Sequence, residues 1–464
     1  VRLAPLLLAA LLAPACREPA TPRPPDIVLV VIQTLGAQRT GLAGPAASRT
    51  PHLDALANAG VRFEDARAAS SFSTQSLAAL WTGRLPSLAG AVGFPVAAPA
   101  DEVETLPRRL RRAGYATALV TNDPALRTRP FTRGFTALEV DSSPGRWDAA
   151  RVTETALELL DEEPGTPRFL TVVYTDATPP YLPDPELRAT LDAPAVEPPW
   201  TVGQLAGALG TLDADVTAQA GFRDLVARYE AELLGVDRAL GALVDGLAAR
   251  GRLANTLLVV TADTGVEFLE HGGLGAGWTL HDEVVHVPLV FHAPALLAQA
   301  RVATAVSLLD VAPSLLGLCG LAFDDAVDGR ALFADGAPHV AAAPVLSELR
   351  VPEIVLQRVV HMDGTTRIEV VLGPAPGERA TWFAGLGERL EALAAGQRST
   401  TALEGEIVRV EGDGADQDVL ARVLAAFAQR CLESPLATGT ARIAVPTDDG
   451  APIDADELRQ IGYL

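Results

Sequence analysis

The chain has no lysine; all 37 of its basic side chains are arginine. That absence removes lysine from any mechanism proposed for it, as nucleophile or as cation. Cysteine is nearly as scarce. Cys16, Cys319 and Cys431 are the only three, and without short spacings they encode neither a disulfide framework nor a zinc site. Cys319 falls in the apolar run 315–321 and reads as a small buried hydrophobe. Positive charge is short overall: the net charge is −21 at pH 7. An excess of that sign argues against electrostatic binding to nucleic acid or to an anionic membrane, and its plain meaning is a solvated acidic surface.

What is present suits a folded soluble protein. Apolar residues make up 48% and charged residues 20% of 464, enough for one large domain and a smaller one. Residues 1–15 read as an export signal. Arg2 precedes the apolar run 3–12, which is too short to span a bilayer, and the small residues Ala13, Pro14 and Ala15 follow. Cys16 then stands where a bacterial lipobox places its lipidated first residue; the rival reading is a simple secretory signal with Cys16 incidental. The proline-rich stretch 17–25 suits a stiff tether. Together these predict an exported lipoprotein anchored to a membrane, in the periplasm or at the cell surface.

Residues 26–34, DIVLVVIQT, are the stretch around which the rest is organised. From Ile27 to Ile32 no polar residue interrupts the run, the pattern of a strand buried on both faces in a parallel sheet. Ligands collect beyond the carboxyl ends of such strands, which points Gln33 and Thr34 at a crevice. Apolar spacing predicts helices at 52–59, Leu106–Arg112, 149–160 and 222–250, and strands at 117–121, 169–174 and 257–261. In the long helix Arg228, Glu230, Glu232 and Asp237 are expected to face outward. The second continuously apolar strand ends at Asp263-Thr264, expected beside Gln33-Thr34. Glycines 272, 273, 275 and 277 predict a flexible loop after it. Ser73 lies just ahead of a helix carrying Leu77, Leu80 and Trp81. Its plainest role is an N-cap; its functional alternative is a nucleophile at a positive helix terminus that also holds an anion.

These segments together resemble the sulfatase family of the alkaline phosphatase superfamily. The resemblance is carried by DIVLVVIQTLGAQRTGL, by TPHLDALANAGVRFEDARAASSFSTQSLAALWTG, by the stretch from RYEAELLGVDRALGAL to HDEVVHVPLVF, by VSLLDVAPSLLGL and by the closing ELRQIGYL. It covers roughly residues 26–332 and the tail. It implies an α/β fold, a large mostly parallel sheet sandwiched by helices over residues 26–340, with a smaller C-terminal α+β subdomain over 341–464. Strands are expected there at 345–349, 354–361 and 367–372, and helices at 386–395 and 419–431.

The resemblance also implies a chemistry that this sequence has in large part replaced. The family holds a divalent cation, usually calcium, on acidic residues at two strand tips. Here Gln33 stands for an aspartate at the first tip, Asp263 is kept at the second, and Thr264 replaces His or Asn. The nucleophile position falls on Ser73, but Gln75 and Leu77 stand where formylglycine conversion needs Pro and Arg. Thr178 and Ala276 occupy the positions of two histidines, and Trp278 that of a cation. Thr34, Arg39, Ser73, Ser76, Asn122, Asp263, Glu267 and His271 remain family-like. Of the seven histidines only His271 lands on a family loop position; His286 and His292 flank an apolar strand and read as structural. With Asp263 the only carboxylate mapped to the metal, no resident cofactor is expected, and calcium only if the protein is active. The sequence therefore predicts a degenerate pseudoenzyme that retains the fold and binds a sulfated or phosphorylated ligand. The alternative is an active sulfuric- or phosphoric-ester hydrolase with a rearranged metal site, drawing substitute ligands from Glu267, Glu270 and Asp282.

Overall fold

A computed structural model describes residues 23–44, 48–91, 98–141, 147–161, 165–202, 216–277, 279–343, 345–351, 355–362, 366–372 and 407–411. The export signal, Cys16, most of the tether, Trp278, Cys431, the helices expected at 386–395 and 419–431 and the ELRQIGYL ending lie outside the described residues.

In chain order the main strands are Asp26–Ile32 (β1), Val61–Arg67 (β2), Ala116–Thr121 (β3), Ala137–Val140 (β4), Arg168–Tyr174 (β5), Thr256–Ala262 (β6), Glu267–Phe268 (β7), Leu274–Gly275 (β8), His286–His292 (β9), Ala300–Val302 (β10) and Val306–Ser307 (β11). The large sheet runs β10-β2-β9-β6-β1-β5-β3-β4, with β11 also beside β2. β1 is buried at every position, as its unbroken apolar run requires. It begins at Asp26 because that carboxylate accepts the Arg168 backbone N–H at 2.9 Å and pairs with Arg252 at 2.8 Å. β1 is parallel to both β5 and β6, while β9 is antiparallel to β2 and β6.

The parallel arrangement brings the carboxyl ends of β1, β3, β5 and β6 to one edge. Gln33-Thr34, Asn122-Asp123, Thr175-Asp176 and Asp263-Thr264 follow those four strands. The helix Ser73–Thr82 is fixed against the same sheet by its apolar face. Trp81, 1% exposed, meets Phe131 and Phe135 edge-on with centroids 5.5 and 5.7 Å apart, and Phe135 stacks on Phe169 of β5. Each fully buried ring of this kind stabilises by about 1.5–3 kcal/mol. The helix stops at Gly83, whose φ of 63° is the left-handed conformation glycine adopts without a Cβ clash.

Two expectations need correction. The long helix, Ala220–Ala249, does not turn all its charges outward: Glu230 and Asp237 are buried. Glu230 takes Arg49 at 2.8 Å and Arg39 on its other oxygen. Asp237 accepts the backbone N–H groups of His52 and Leu53 at 2.8 and 2.9 Å, closing the orphan donors that start the helix Pro51–Ala59. The glycine-rich segment, expected as a loop, contains the antiparallel pair β7–β8, with Glu267 opposite Gly275 and Phe268 opposite Leu274.

Beyond the main sheet, Val345–Val351, Val355–Met362, Thr366–Leu372 and Ile407–Glu411 form a four-stranded antiparallel sheet. Its first strand touches the main domain: Glu348 N–H donates to Ala69 O and Ser347 Oγ to Ala68 O, at 2.8 and 2.7 Å. Cys319 is half-buried against the core, and its Sγ accepts from Tyr115 OH at 3.5 Å.

Candidate functional site

Thr34 is the pivot of the sheet mouth. Its φ of 59° places a β-branched residue in the left-handed region, a conformation that persists only where the surroundings fix it. They do so from distant parts of the chain. Thr34 N–H donates to Asp263 Oδ1 at 3.1 Å, its Oγ1 donates to Ala177 O at 2.6 Å, and its carbonyl accepts from Tyr229 OH at 2.7 Å. The expected meeting of the two strand tips is therefore direct.

Asp263 is fully buried. Its Oδ1 also accepts the Thr264 backbone N–H at 2.6 Å, whereas Oδ2 has no partner of normal hydrogen-bond geometry. Burial pushes its pKa up to about 6; the Ser73 hydroxyl and the two backbone N–H groups oppose that rise, and nearby Asp123 adds to it. Thr264 Oγ1 is a second buried polar atom there without a partner.

Ser73 is not the N-cap. It is the first residue of its helix, and Phe72, which holds the cap position, makes no side-chain capping bond. The Ser73 hydroxyl instead bears on Asp263. Ser76, one turn later, donates its hydroxyl to the backbone carbonyl of Asp263 at 2.6 Å, so the helix start and the β6 tip are locked together.

Gln33, 1% exposed, donates Nε2 to Asp123 Oδ2 at 2.8 Å. Asp123 Oδ1 accepts from Ala125 N–H at 2.9 Å. Asp123 is thus a second fully buried acid at the mouth, one that the family-like Asn122 before it does not announce in the sequence. The available signal was an Asp-Pro pair directly after an apolar strand. Asn122 itself clamps β3 to β5: its Nδ2 donates to Asp176 Oδ2 and its Oδ1 accepts from Thr175 N–H, both at 3.0 Å. Asp176 Oδ1 accepts from Ala149 N–H at 2.8 Å.

The other mapped positions divide. Thr178 is buried and turns its hydroxyl back to Thr175 O at 2.6 Å. Ala276 is half-buried in the segment after β8 and has no group that could move a proton. Arg39 reaches Glu230 rather than the Asp263 carboxylate. His286 bonds Glu64 O at 2.9 Å, and burial lowers its pKa.

His271 belongs to a separate constellation. Its Nδ1 lies 2.7 Å from Glu283 Oε1 and its ring stacks on His281, centroids 4.0 Å apart. Glu267, His271 and Glu283 together place one ligand atom each within 4.8 Å of one another. Of the substitute ligands expected from the sequence only Glu267 takes part. Glu270 Oε2 turns to the Phe268 backbone N–H, and Asp282 Oδ1 is held by Arg67 Nη1 at 2.8 Å. Glu283 belongs to no recognisable motif in the sequence: it follows Asp282 and precedes Val284 and Val285, just ahead of β9.

Comparison with known proteins agrees with this fold. A family model described as Sulfatase matches residues 25–321. Human arylsulfatase A is 30% identical over 355 residues, covering 65% of this chain and 65% of its own. An ulvan-active sulfatase of Formosa agariphila is 25% identical over 346 residues, covering 67% and 65%. The chain thus spans just under two thirds of the length of these relatives. Among solved structures, a protein in complex with its substrate D-glucosamine-2-N,6-O-disulfate superposes with a TM-score of 0.67 at 15% identity, covering 92% of this chain and 100% of that one. The phosphonate monoester hydrolase of Agrobacterium radiobacter gives 0.60 at 20% identity, covering 83% and 99%. At these identities the structures establish the fold.

Proposed function

Because the chain belongs to the sulfatase family, we propose that it is a degenerate member, binding an anionic ester at the sheet mouth without hydrolysing it by a metal-assisted route. The observation that carries this reading is the state of the mouth's carboxylates. Asp176 and Asp123 each have both oxygens engaged by N–H donors, and Asp263 keeps one oxygen free. Calcium takes six to eight oxygen ligands and gains affinity with each charged one. The free Oδ2 of Asp263 is a suitable oxygen, but a single one, and Gln33 presents an amide N–H to Asp123 where the family has a second charge. That donor set does not fit calcium.

Nucleophilic chemistry is equally short of support. A serine hydroxyl is weak unless a base or a metal activates it, and among the described residues no histidine bonds to Ser73. Ligand binding needs less. The positive start of the Ser73–Thr82 helix favours a sulfate or phosphate group, and a fold neighbour of this chain is known with a disulfated glucosamine as substrate. We place the protein outside the cytoplasm, tethered through a lipidated Cys16; among the described residues no helix is long and apolar enough to cross a membrane. Metabolic labelling with a palmitate analogue, lost in Cys16→Ser, tests the anchor.

The test of function is turnover of 4-nitrophenyl sulfate and 4-nitrophenyl phosphate by purified protein, with and without millimolar calcium. No turnover in either condition is expected, with sulfate binding retained in calorimetry. Calcium-dependent turnover that Ser73→Ala abolishes would overturn the proposal. A second reading, a living ester hydrolase, has one observation in its favour: the Ser73 hydroxyl acts on the Asp263 carboxylate, whose unpartnered Oδ2 could take its proton. That reading requires metal-independent turnover lost in both Ser73→Ala and Asp263→Asn.

A further inference from the structure

We propose that Glu267, His271 and Glu283 form a divalent-metal site of the kind that takes zinc, on the β7–β8 hairpin and the turn before β9. The site is independent of the reading of the mouth at Asp263, since it shares no ligand with it.

The donor atoms already converge. All three lie within 4.8 Å of one another, and His271 Nδ1 to Glu283 Oε1 is 2.7 Å. A tetrahedral ion with bonds near ~2.1 Å asks for separations of about 3.4 Å, so a side-chain adjustment of about an ångström closes the set. The set contains an imidazole nitrogen, which suits zinc and not an all-oxygen cation such as calcium.

Electrostatics points the same way. Glu267 and Glu283 are 2% and 8% exposed, yet among the described residues no arginine pairs with either. The adjacent Asp282, by contrast, has Arg67. Two buried carboxylates this close repel each other, and neither has a guanidinium to offset that repulsion. A cation bound between them offsets it.

The hairpin holds this arrangement by its backbone. Glu267 Oε1 accepts the N–H groups of His271 and Gly273 at 3.1 and 2.7 Å, and Oε2 accepts from Thr279 Oγ1 at 3.1 Å. A Cβ at position 273 would lie 2.4 Å from Glu267 Oε2, so a larger residue there would have to displace this carboxylate. His271 stacks on His281 at an interplanar angle of 7°. The side chain of His271 is 50% exposed, giving an ion an entry path and leaving a position for water.

The experiment uses the full chain, stripped with a chelator and dialysed against zinc, with bound metal counted and cobalt substituted as a spectroscopic probe. One equivalent is expected, with the visible absorption of a four-coordinate cobalt site. His271→Ala and Glu283→Gln should each weaken binding at least about 100-fold, more than loss of an outer partner does, and Asp263→Asn should leave it unchanged. Because Glu283 is buried, half-exposed His271 is the decisive variant, and the cobalt spectrum of unaltered protein needs no variant at all. Absence of stoichiometric metal, binding that survives His271→Ala, or binding lost in Asp263→Asn would each overturn the site. The last two outcomes leave the turnover test at the mouth to be decided by its own readout.

Discussion

Two sets of buried acids in this molecule are treated in opposite ways. On the long helix, Asp224 lies between Arg188 at 2.6 Å and Arg228 at 2.9 Å, and Glu230 lies between Arg39 and Arg49. Asp263 at the mouth and Asp237 on the same long helix have no guanidinium; they rely on backbone N–H groups, and burial pushes each up to about 6. In a chain whose only cations are arginine and histidine, guanidinium pairs mark carboxylates that hold helices and loops together. Their absence marks places where negative charge is tolerated at some expense.

The contrast breaks most readily at Asp224. Removing one partner of a buried pair leaves charge uncompensated, so Asp224→Ala is expected to lower unfolding stability by about 3–5 kcal/mol, measured by denaturant titration. Asp263→Asn, which removes the same formal charge, should cost far less at pH 8; equal losses would erase the distinction.

Next in size is a pH effect on Asp237. Its folded pKa, about 6, lies above its ordinary 3.8, so the fold favours the protonated form. That contribution is complete below pH 3.8 and gone once pH rises past about 6, a difference of at most about 3 kcal/mol. Asp237→Asn carries a fixed penalty from the N–H it no longer accepts, but it should flatten this part of the stability profile. A slope between pH 4 and 6 identical to that of the unaltered protein would rule the assignment out.

A smaller effect sharpens the mouth itself. Gln33→Asp loses the amide bond to Asp123 and adds a charge beside it, and should destabilise by about 1–3 kcal/mol without metal. Millimolar calcium should then raise its melting temperature while leaving the parent protein unmoved. A parent that responds to calcium contradicts the reading of the mouth. Smallest of all, Arg39→Gln leaves Glu230 paired with Arg49 and should cost about 1 kcal/mol or less, with sulfate binding unaltered in calorimetry.

Much of the fold was legible because buried strands announce themselves. The runs that became β1 and β6 are continuously apolar, and their tips met as expected through Thr34 and Asp263. The charges of the long helix were misread for a physical reason. Glu230 and Asp237 occupy helix positions that look solvent-facing, and what buries them arrives from residues 39, 49, 52 and 53, far away in sequence. Ser73 was misread as a cap because a serine before an apolar helix usually is one; its engagement with Asp263 depends on a strand nearly two hundred positions later. The site on the hairpin was half visible, with Glu267 named and His271 flagged. Glu283 escaped because a carboxylate between Asp282 and two valines gives no periodic signal.

Thr34 has a bearing on how any occupant would be received. Held in a left-handed turn by Asp263, Ala177 and Tyr229 at once, it sets the shape of the sheet mouth in advance. An arriving molecule would meet a surface with little freedom left to freeze out, so modest contacts would suffice for recognition. That mould persists whether or not the hydroxyl beside it ever reacts.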